Sequence, residues 1–166
     1  MTEKTTMPSK ARLEIKLIGY NTWANRKILA QVESLPQELF EKDLGGSFGS
    51  MKATMIHLLE SDWLWVKRFQ GIPLAPALPD WNNSTAALLK DNWTTVQDEM
   101  LKAVTDAPDK EIEFITRKGA HLKMPLQDIV LHLSHHGNYH RGQITNMIRQ
   151  VGHSPVSTDY FIFYNS

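Results

Sequence analysis

The sequence has 166 residues, and its 18 lysine and arginine side chains are balanced by 18 aspartate and glutamate side chains. The length fits one domain with one core, and the charge balance argues against a general binder of nucleic-acid backbones. Cysteine is absent, which excludes disulfides, thiolate metal ligands and a cysteine nucleophile. Neither a signal peptide nor a run of about 18 apolar residues is present, so we expect a cytoplasmic protein that is not inserted in a membrane.

The first predicted element is an amphipathic helix from about Ser9 to Glu33, in which apolar side chains recur every three or four residues. We expect residues 1–8 to be disordered and residues 9–166 to form one domain. Tyr20 and Trp23 are large amphipathic side chains on this helix. For both, a core position with a satisfied polar tip is favoured over a role in a pocket.

A connection over residues 34–50 leads to a second predicted helix over residues 51–70. His57 does not lie on the main apolar face of this helix but in a strip with small neighbours. The pattern alone favours an ordinary, partly exposed histidine at this position over a ligand. Trp63 and Trp65 flank the strip, and core packing is favoured for both over a place in the wall of a cavity.

The third predicted helix follows a proline-rich loop and runs to about Thr105, with Asn83 or Ser84 as its cap. Residues 113–124 then contain two short runs on either side of a turn at Gly119. This pattern predicts a small β-hairpin that packs on the helices before the last long helix.

The fourth predicted helix covers residues 125–151 and carries four of the seven histidines. On a helical wheel, His140 projects from the apolar face and His136 from the edge of that face. His132 is rotated toward the flank, and His135 points to the polar side, where we expect it to be solvated.

The spacing of these histidines limits which of them could bind one ion. Side chains four residues apart project about 40° apart and lie about 6 Å apart along the helix axis, so they can converge on one ion. The candidate pairs are His132 with His136 and His136 with His140, and the second is favoured because it lies over the apolar face. The alternative is a pair of core histidines with ordinary hydrogen bonds. A third ligand from another helix would decide between the two interpretations.

The C-terminal residues 153–166 are rich in aromatic side chains and are predicted to dock on the helices, since their exposure to water would be costly. Four long helices and a hairpin before the last of them predict an all-α fold. The connections are long enough for a four-helix bundle with a crossover connection.

Several motifs of the chain resemble those of the DinB-like, YfiT-related family of metal-binding helical bundles. Residues 20–25 (YNTWAN) resemble the family's Y-x-x-W-A-N, and the run that starts at His57 resembles its H-L-x-x-x-x-W. Residues 136–143 (HGNYHRGQ) resemble its H-x-x-x-H-R-G-Q, and residues 152–160 carry its G-H-S-P-x-x-x-D-Y. The resemblance extends over about residues 13–162.

The resemblance implies a four-helix bundle in which one histidine from the second helix and two from the fourth bind a divalent metal. Carried over to this sequence, the ligands are His57, His136 and His140. Zinc and nickel suit these ligands best, and iron and manganese are also compatible with them. The side chains expected around the metal or the substrate are His132, Gln143, Tyr20, Trp23 and Trp63.

Members of this family include S-transferases and isomerases that depend on low-molecular-weight thiols. The resemblance therefore implies a metal-dependent enzyme that acts on a small electrophile with a thiol as cosubstrate, or a hydrolase that uses metal-bound water. The alternatives are a metal-binding stress or accessory protein without turnover and a plain bundle with buried histidines. Similar bundles commonly form homodimers, so a homodimer is expected, and neither nucleic acid nor membrane is expected as a partner.

Overall fold

Four long helices form the body of the protein in the computed structural model, which describes residues 12–74, 76–107 and 110–166. The expected disorder of residues 1–8 and the predicted start at Ser9 lie outside these residues. Two one-turn helices and a two-stranded sheet complete the fold. In chain order the elements are α1 (Leu13–Glu33), α2 (Gln37–Glu41), α3 (Met51–Phe69), α4 (Ala86–Asp106), β1 (Glu111–Ile115), β2 (His121–Pro125), α5 (Leu126–Gln150) and α6 (Tyr160–Tyr164).

The four long helices pack as a bundle in which α1 and α3 each contact both α4 and α5. Helices that follow each other among the long four, α1 and α3 or α4 and α5, therefore occupy opposite corners. The connection through α2 and the connection through the hairpin both cross the bundle. The predicted all-α bundle with a crossover connection is confirmed.

Side-chain caps fix the starts of two helices. The Ser50 hydroxyl accepts a hydrogen bond from the backbone at the start of α3, and the Thr85 hydroxyl accepts one from Leu88 N at 3.2 Å. The predicted caps Asn83 and Ser84 of α4 are therefore wrong by one or two residues. A hydroxyl at the N-cap satisfies a backbone N–H that has no partner within the helix, and this sets where the helix begins.

The hairpin pairs Glu111 with Pro125 and Ile115 with His121, so its antiparallel strands end where α5 begins. Ile112 is buried against the bundle. Pro125 is the last residue of β2 rather than the first residue of the helix. The backbone N–H of Leu126, the first residue of α5, donates to the carbonyl of Lys110, just before β1, at 2.8 Å. The predicted hairpin is confirmed, and it sets the position from which α5 enters the bundle.

One hydrophobic core lies between the helices and extends under β1. Trp63 and Trp65 are both buried in it, as the sequence predicted. No helix among the described residues is long and apolar enough to cross a membrane. The largest apolar side chains at the centre of this core are Trp93, Phe40, Ile28, Leu29, Met51, Met55, Leu59, Leu89, Ile129, Ile144 and Ile148.

The C-terminal segment docks on α1 through Tyr20. The Tyr20 hydroxyl donates to the Thr158 carbonyl at 2.9 Å, and its ring lies 5.2 Å from that of Tyr160. Docking is only partial, however, because Phe161 remains 77% exposed and Tyr164 remains 70% exposed. A single helical turn can turn only one of its faces toward α1, so the predicted burial of the whole aromatic segment is wrong for the opposite face.

Candidate metal centre

Three histidines from two helices meet at one edge of the bundle. His57 comes from α3, and His136 and His140 come from successive turns of α5. The Nε2 atom of His136 lies 3.1 Å from Nε2 of His57 and 3.2 Å from Nε2 of His140. The ligand atoms of all three lie within 4.8 Å of one another. The third ring that the α5 pattern called for is therefore supplied by α3.

The two separations that involve His136 are close to those expected around a bound transition-metal ion. Nitrogen atoms that bind a tetrahedral zinc ion at about 2.0–2.1 Å lie about 3.3 Å from each other. The two shorter separations in the cluster are 3.1 and 3.2 Å. The three histidines lie close enough together to bind a metal ion.

Hydrogen bonds among the three rings explain their short separations less well than a shared metal ion does. His140 Nδ1 lies 2.8 Å from Oε1 of Gln143, an oxygen that can only accept, so the proton of neutral His140 belongs on Nδ1. Nε2 of His140 then presents a lone pair to His136. If His136 carried a proton on Nε2, that one N–H would have to donate to both His57 and His140. Without that proton, two lone pairs face each other in the contact between His136 and His140.

The surroundings of His136 and His57 favour the neutral imidazole, the form that metal binding requires. Burial, reinforced by the nearby rings of His140, His57 and His132, lowers the pKa of His136 to about 4. Burial also lowers the pKa of His57, with further contributions from His140 and Arg117. Neutral rings can offer lone pairs to a cation at physiological pH without first losing a proton.

Two arginines act electrostatically on histidines in or next to the cluster. Arg117 contributes to the lowered pKa of His57, after burial and His140, and Arg68 contributes to that of His132, after burial. Within residues 12–74, 76–107 and 110–166, neither arginine lies within ion-pair distance of a carboxylate. A negatively charged donor near these rings would therefore be stabilised.

Aromatic side chains border the cluster on several sides. Phe48, from the connection before α3, stacks on His57 with ring centroids 4.3 Å apart and also lies 5.5 Å from His140. Tyr139 meets the ring of His140 at 5.0 Å. On another side, the ring of His132 lies 5.8 Å from that of His136.

A buried arginine connects two of the motifs that carry the family resemblance. Arg141 follows His140 directly and is 1% exposed. Its Nη1 donates to Oδ1 of Asn25 at 2.9 Å and to Oδ1 of Asn21 at 3.1 Å, both on α1. The guanidinium passes over Gly137, where an added Cβ would lie only 2.7 Å from Nη1. The H-R-G-Q and Y-x-x-W-A-N motifs therefore meet in one hydrogen-bonded contact inside the bundle.

The residues predicted around the metal fall into two groups. Gln143 contacts His140 directly, and His132 lies beside His136. The others make their contacts elsewhere, so their predicted place near the substrate stays a prediction. Tyr20 contacts the C-terminal segment, Trp23 packs against Tyr20 and Phe163, and Trp63 packs against Trp81.

Sequence reasoning did not identify three residues that shape this centre. Ser47 accepts a hydrogen bond from Nε2 of Gln143 at 3.0 Å, and Phe48 follows it in the same glycine-rich connection. Loop residues have no helical or strand periodicity, so the sequence pattern did not indicate that Ser47 and Phe48 lie near the histidines. Arg141 lies within the matched H-R-G-Q motif, and that position was the available signal for it.

Comparisons with known proteins agree on one family. The sequence profile of the DinB family matches residues 1–166. Protein DinB of Bacillus subtilis (strain 168) is 31% identical in an alignment over 163 residues, and the match covers 89% of this chain and 91% of that protein. The crystal structure of a DinB-like protein from Bacillus cereus ATCC 10987 superimposes with a TM-score of 0.63 at 17% identity, covering 85% of this chain and 94% of that chain. The last comparison shows a shared fold.

Proposed function

The chain belongs to the DinB family, and from this premise we propose that it binds a divalent metal ion through His57, His136 and His140. The observation that supports the proposal is the convergence of three Nε2 atoms, with separations of 3.1 and 3.2 Å for two of the three pairs. Facing helices of a bundle are also where inward side chains commonly assemble metal sites.

Zinc and nickel are the ions that we propose for this centre. An all-imidazole set with no carboxylate suits these borderline ions better than manganese, which prefers oxygen donors. Iron remains a compatible alternative, since imidazole also binds it.

We propose that the centre belongs to a metal-dependent enzyme that uses a low-molecular-weight thiol. A divalent ion with three neutral ligands keeps its full charge and an open coordination position, and it lowers the pKa of a thiol or water bound there. The protein has no cysteine, so the thiol would come from a cosubstrate. The sulfur of that thiol would form a bond to an electrophilic carbon of the second substrate, and the leaving group would depart with the electron pair of the broken bond.

The chain's own residues support this chemistry in two ways. The positive charge of Arg117, which acts on the proposed ligand His57, favours a thiolate over a neutral thiol near the rings. Gln143 accepts from Nδ1 of His140, which directs the Nε2 lone pair toward the other two histidines. Hydrolysis by a metal-bound water would use the same ligands and remains the variant within this proposal.

Metal binding without turnover, in a stress or accessory protein, is the competing function. The histidine geometry supports it equally, because three imidazoles bind an ion in either case. A screen of thiols and electrophiles with the metal-loaded protein separates the two, since only an enzyme shows metal-dependent product formation. Complete lack of turnover, with metal confirmed as bound, would favour the accessory role.

The proposal is tested by elemental analysis of purified protein that has been stripped with chelator and reloaded separately with zinc and nickel. We expect about one ion per chain. The His57→Ala, His136→Ala and His140→Ala variants should each lower metal affinity by more than about a hundred-fold, the upper range for loss of an outer hydrogen-bond partner.

His135→Ala is the matched control, because His135 is an exposed histidine on α5 next to a proposed ligand. Its metal content should equal that of the wild type. Equal metal content in all four variants, or no metal in the reloaded wild type, would contradict the proposed centre.

A further inference from the structure

The connection between α2 and α3 brings a loop over the histidine cluster. Leu44 N donates to the Gly49 carbonyl at 2.7 Å, and Gly45 N donates to Oδ1 of Asp43 at 3.0 Å. Gly45, Gly46 and Gly49 all have φ between 77° and 80°, a left-handed backbone that favours glycine. The loop is therefore closed by one backbone bond and by one bond to the Asp43 carboxylate.

The same loop is bonded to the proposed ligand set. Gln143 accepts from Nδ1 of His140 and donates through Nε2 to the Ser47 hydroxyl at 3.0 Å. This bridge joins the loop to the turn of α5 that carries His140. Phe48, the next residue, is thereby held against His57 and His140 with ring centroids 4.3 and 5.5 Å away.

Phe48 is partly open to solvent in spite of this support. It is 38% exposed, and Tyr139, whose ring lies 5.0 Å from that of His140, is 62% exposed. Isolated exposed aromatic residues are common on protein surfaces and need no explanation. Here, however, two of them border the ring of one histidine of the cluster, and the loop that carries one of them is fixed by specific hydrogen bonds.

We propose that Phe48 is the specificity-determining side chain of the centre and that, together with Tyr139, it contacts the flat apolar part of a small ligand whose donor atom reaches the metal. This inference rests on the proposed metal binding. It names the ligand class as a molecule with a metal-binding donor atom attached to a planar, apolar group. An aromatic wall next to a ligand histidine favours such a group through ring stacking and burial of apolar surface.

The test uses the full chain loaded with cobalt(II), whose visible spectrum reports on the ligands of the ion. Imidazole and benzimidazole are titrated into wild type, Phe48→Ala and Phe48→Leu. Both probes bind a metal through the same type of nitrogen, but only benzimidazole carries a fused apolar ring. Comparing each probe between variants cancels the difference in basicity between the two molecules.

The Phe48→Ala variant should bind benzimidazole about ten-fold more weakly than wild type, the loss expected for one aromatic contact with its buried area. Its affinity for imidazole should change by less than about two-fold, because imidazole is too small to gain from the wall. Phe48→Leu should lie in between. Phe161→Ala, which removes an exposed aromatic ring from α6, is the control and should leave both affinities unchanged.

The outcomes separate this inference from the proposed function. If wild type fails to bind cobalt, the metal centre itself is wrong and the inference falls with it. If cobalt binds and Phe48→Ala weakens both probes equally, or changes only the affinity for cobalt, Phe48 merely supports His57 and the inference is wrong. It is also wrong if neither probe alters the spectrum of the wild type, because no position is then open to a ligand.

Discussion

Replacing Gly137 with alanine should destabilise the protein, although the same change elsewhere in a helix usually has the opposite effect. Gly137 lies within α5 between His136 and His140. A glycine-to-alanine change inside a helix normally stabilises it by about 1 kcal/mol, because alanine loses less backbone entropy on folding. At this position the added Cβ would lie 2.7 Å from Nη1 of Arg141 and 3.0 Å from Oδ1 of Asn21.

The magnitude follows from the bonds that the guanidinium would lose. Ordinary contact needs a separation of about 3.5–4.0 Å, so the guanidinium would have to retreat by about 1 Å. That shift would break its 2.9 and 3.1 Å bonds to Asn25 and Asn21, in a site where Arg141 is 1% exposed. A hydrogen bond to a charged group is worth about 1.5–3 kcal/mol, so a loss of one or two outweighs the helix gain. We expect a net destabilisation of about 1–3 kcal/mol.

The assay is urea unfolding of Gly137→Ala and Gly142→Ala in the presence of chelator, with the free energy of unfolding taken from midpoint and slope. Gly142 is the matched control, because it lies in the same helix and its added Cβ would meet nothing within 4 Å. Gly142→Ala should be more stable than wild type by about 0.5–1 kcal/mol. Stabilisation of both variants by the same amount would show that Arg141 can move freely and would refute the argument.

Three further predictions concern single side chains. Gln143→Ala should weaken zinc binding by about 10–100-fold, whereas Gln143→Glu, which keeps an acceptor for Nδ1 of His140, should restore it in a competition titration. Asp62 accepts from Trp93 Nε1 at 2.7 Å, and burial raises its pKa to about 6, so the ionised carboxyl costs stability above that pH. Asp62→Asn should therefore raise the urea midpoint at pH 8, by an amount equivalent to about 1 kcal/mol after a discount for the partial exposure of the residue. This gain in stability should vanish as the pH falls toward 4. A gain that does not depend on pH would contradict the prediction. Burial lowers the pKa of His136 to about 4 in the folded protein. In metal-free protein, the imidazole of residue 136 is therefore protonated in the unfolded chain at a higher pH than in the folded chain, starting near pH 6.5. Wild type should then lose stability between pH 6.5 and 4 more steeply than His136→Gln, and equal slopes would contradict this.

Periodicity predicted the parts of the centre that lie on one helix. The apolar face of α5 located His140, and spacing selected His136 as its partner, because both properties are local to about two turns of helix. His57 was not predicted by its own helix pattern. It lies on a half-buried strip of α3, where a helical wheel cannot tell a ligand from an exposed histidine, and only the family motif assigned it.

Features that depend on distant parts of the chain were beyond the sequence patterns. Arg141 bonds with residues of α1 that are 116 and 120 positions away, and Phe48 reaches the cluster through the path of a loop. The start of α4 was misplaced by one or two residues, because several adjacent polar residues were suitable caps. The expected homodimer stays a prediction.

The positions of the three histidines have a consequence for the lifetime of the folded chain. A cation held by His57 and His136 would connect residues that are 79 positions apart, across the junction between α3 and α5. Unfolding would separate these rings, so an ion that binds only the folded chain would stabilise it by mass action, by about 2.7 kcal/mol when free metal is a hundred times its Kd. A protein without cysteine would thereby have a reversible, metal-dependent cross-link between two of its helices. Its resistance to unfolding and proteolysis would then rise and fall with the supply of metal in its surroundings.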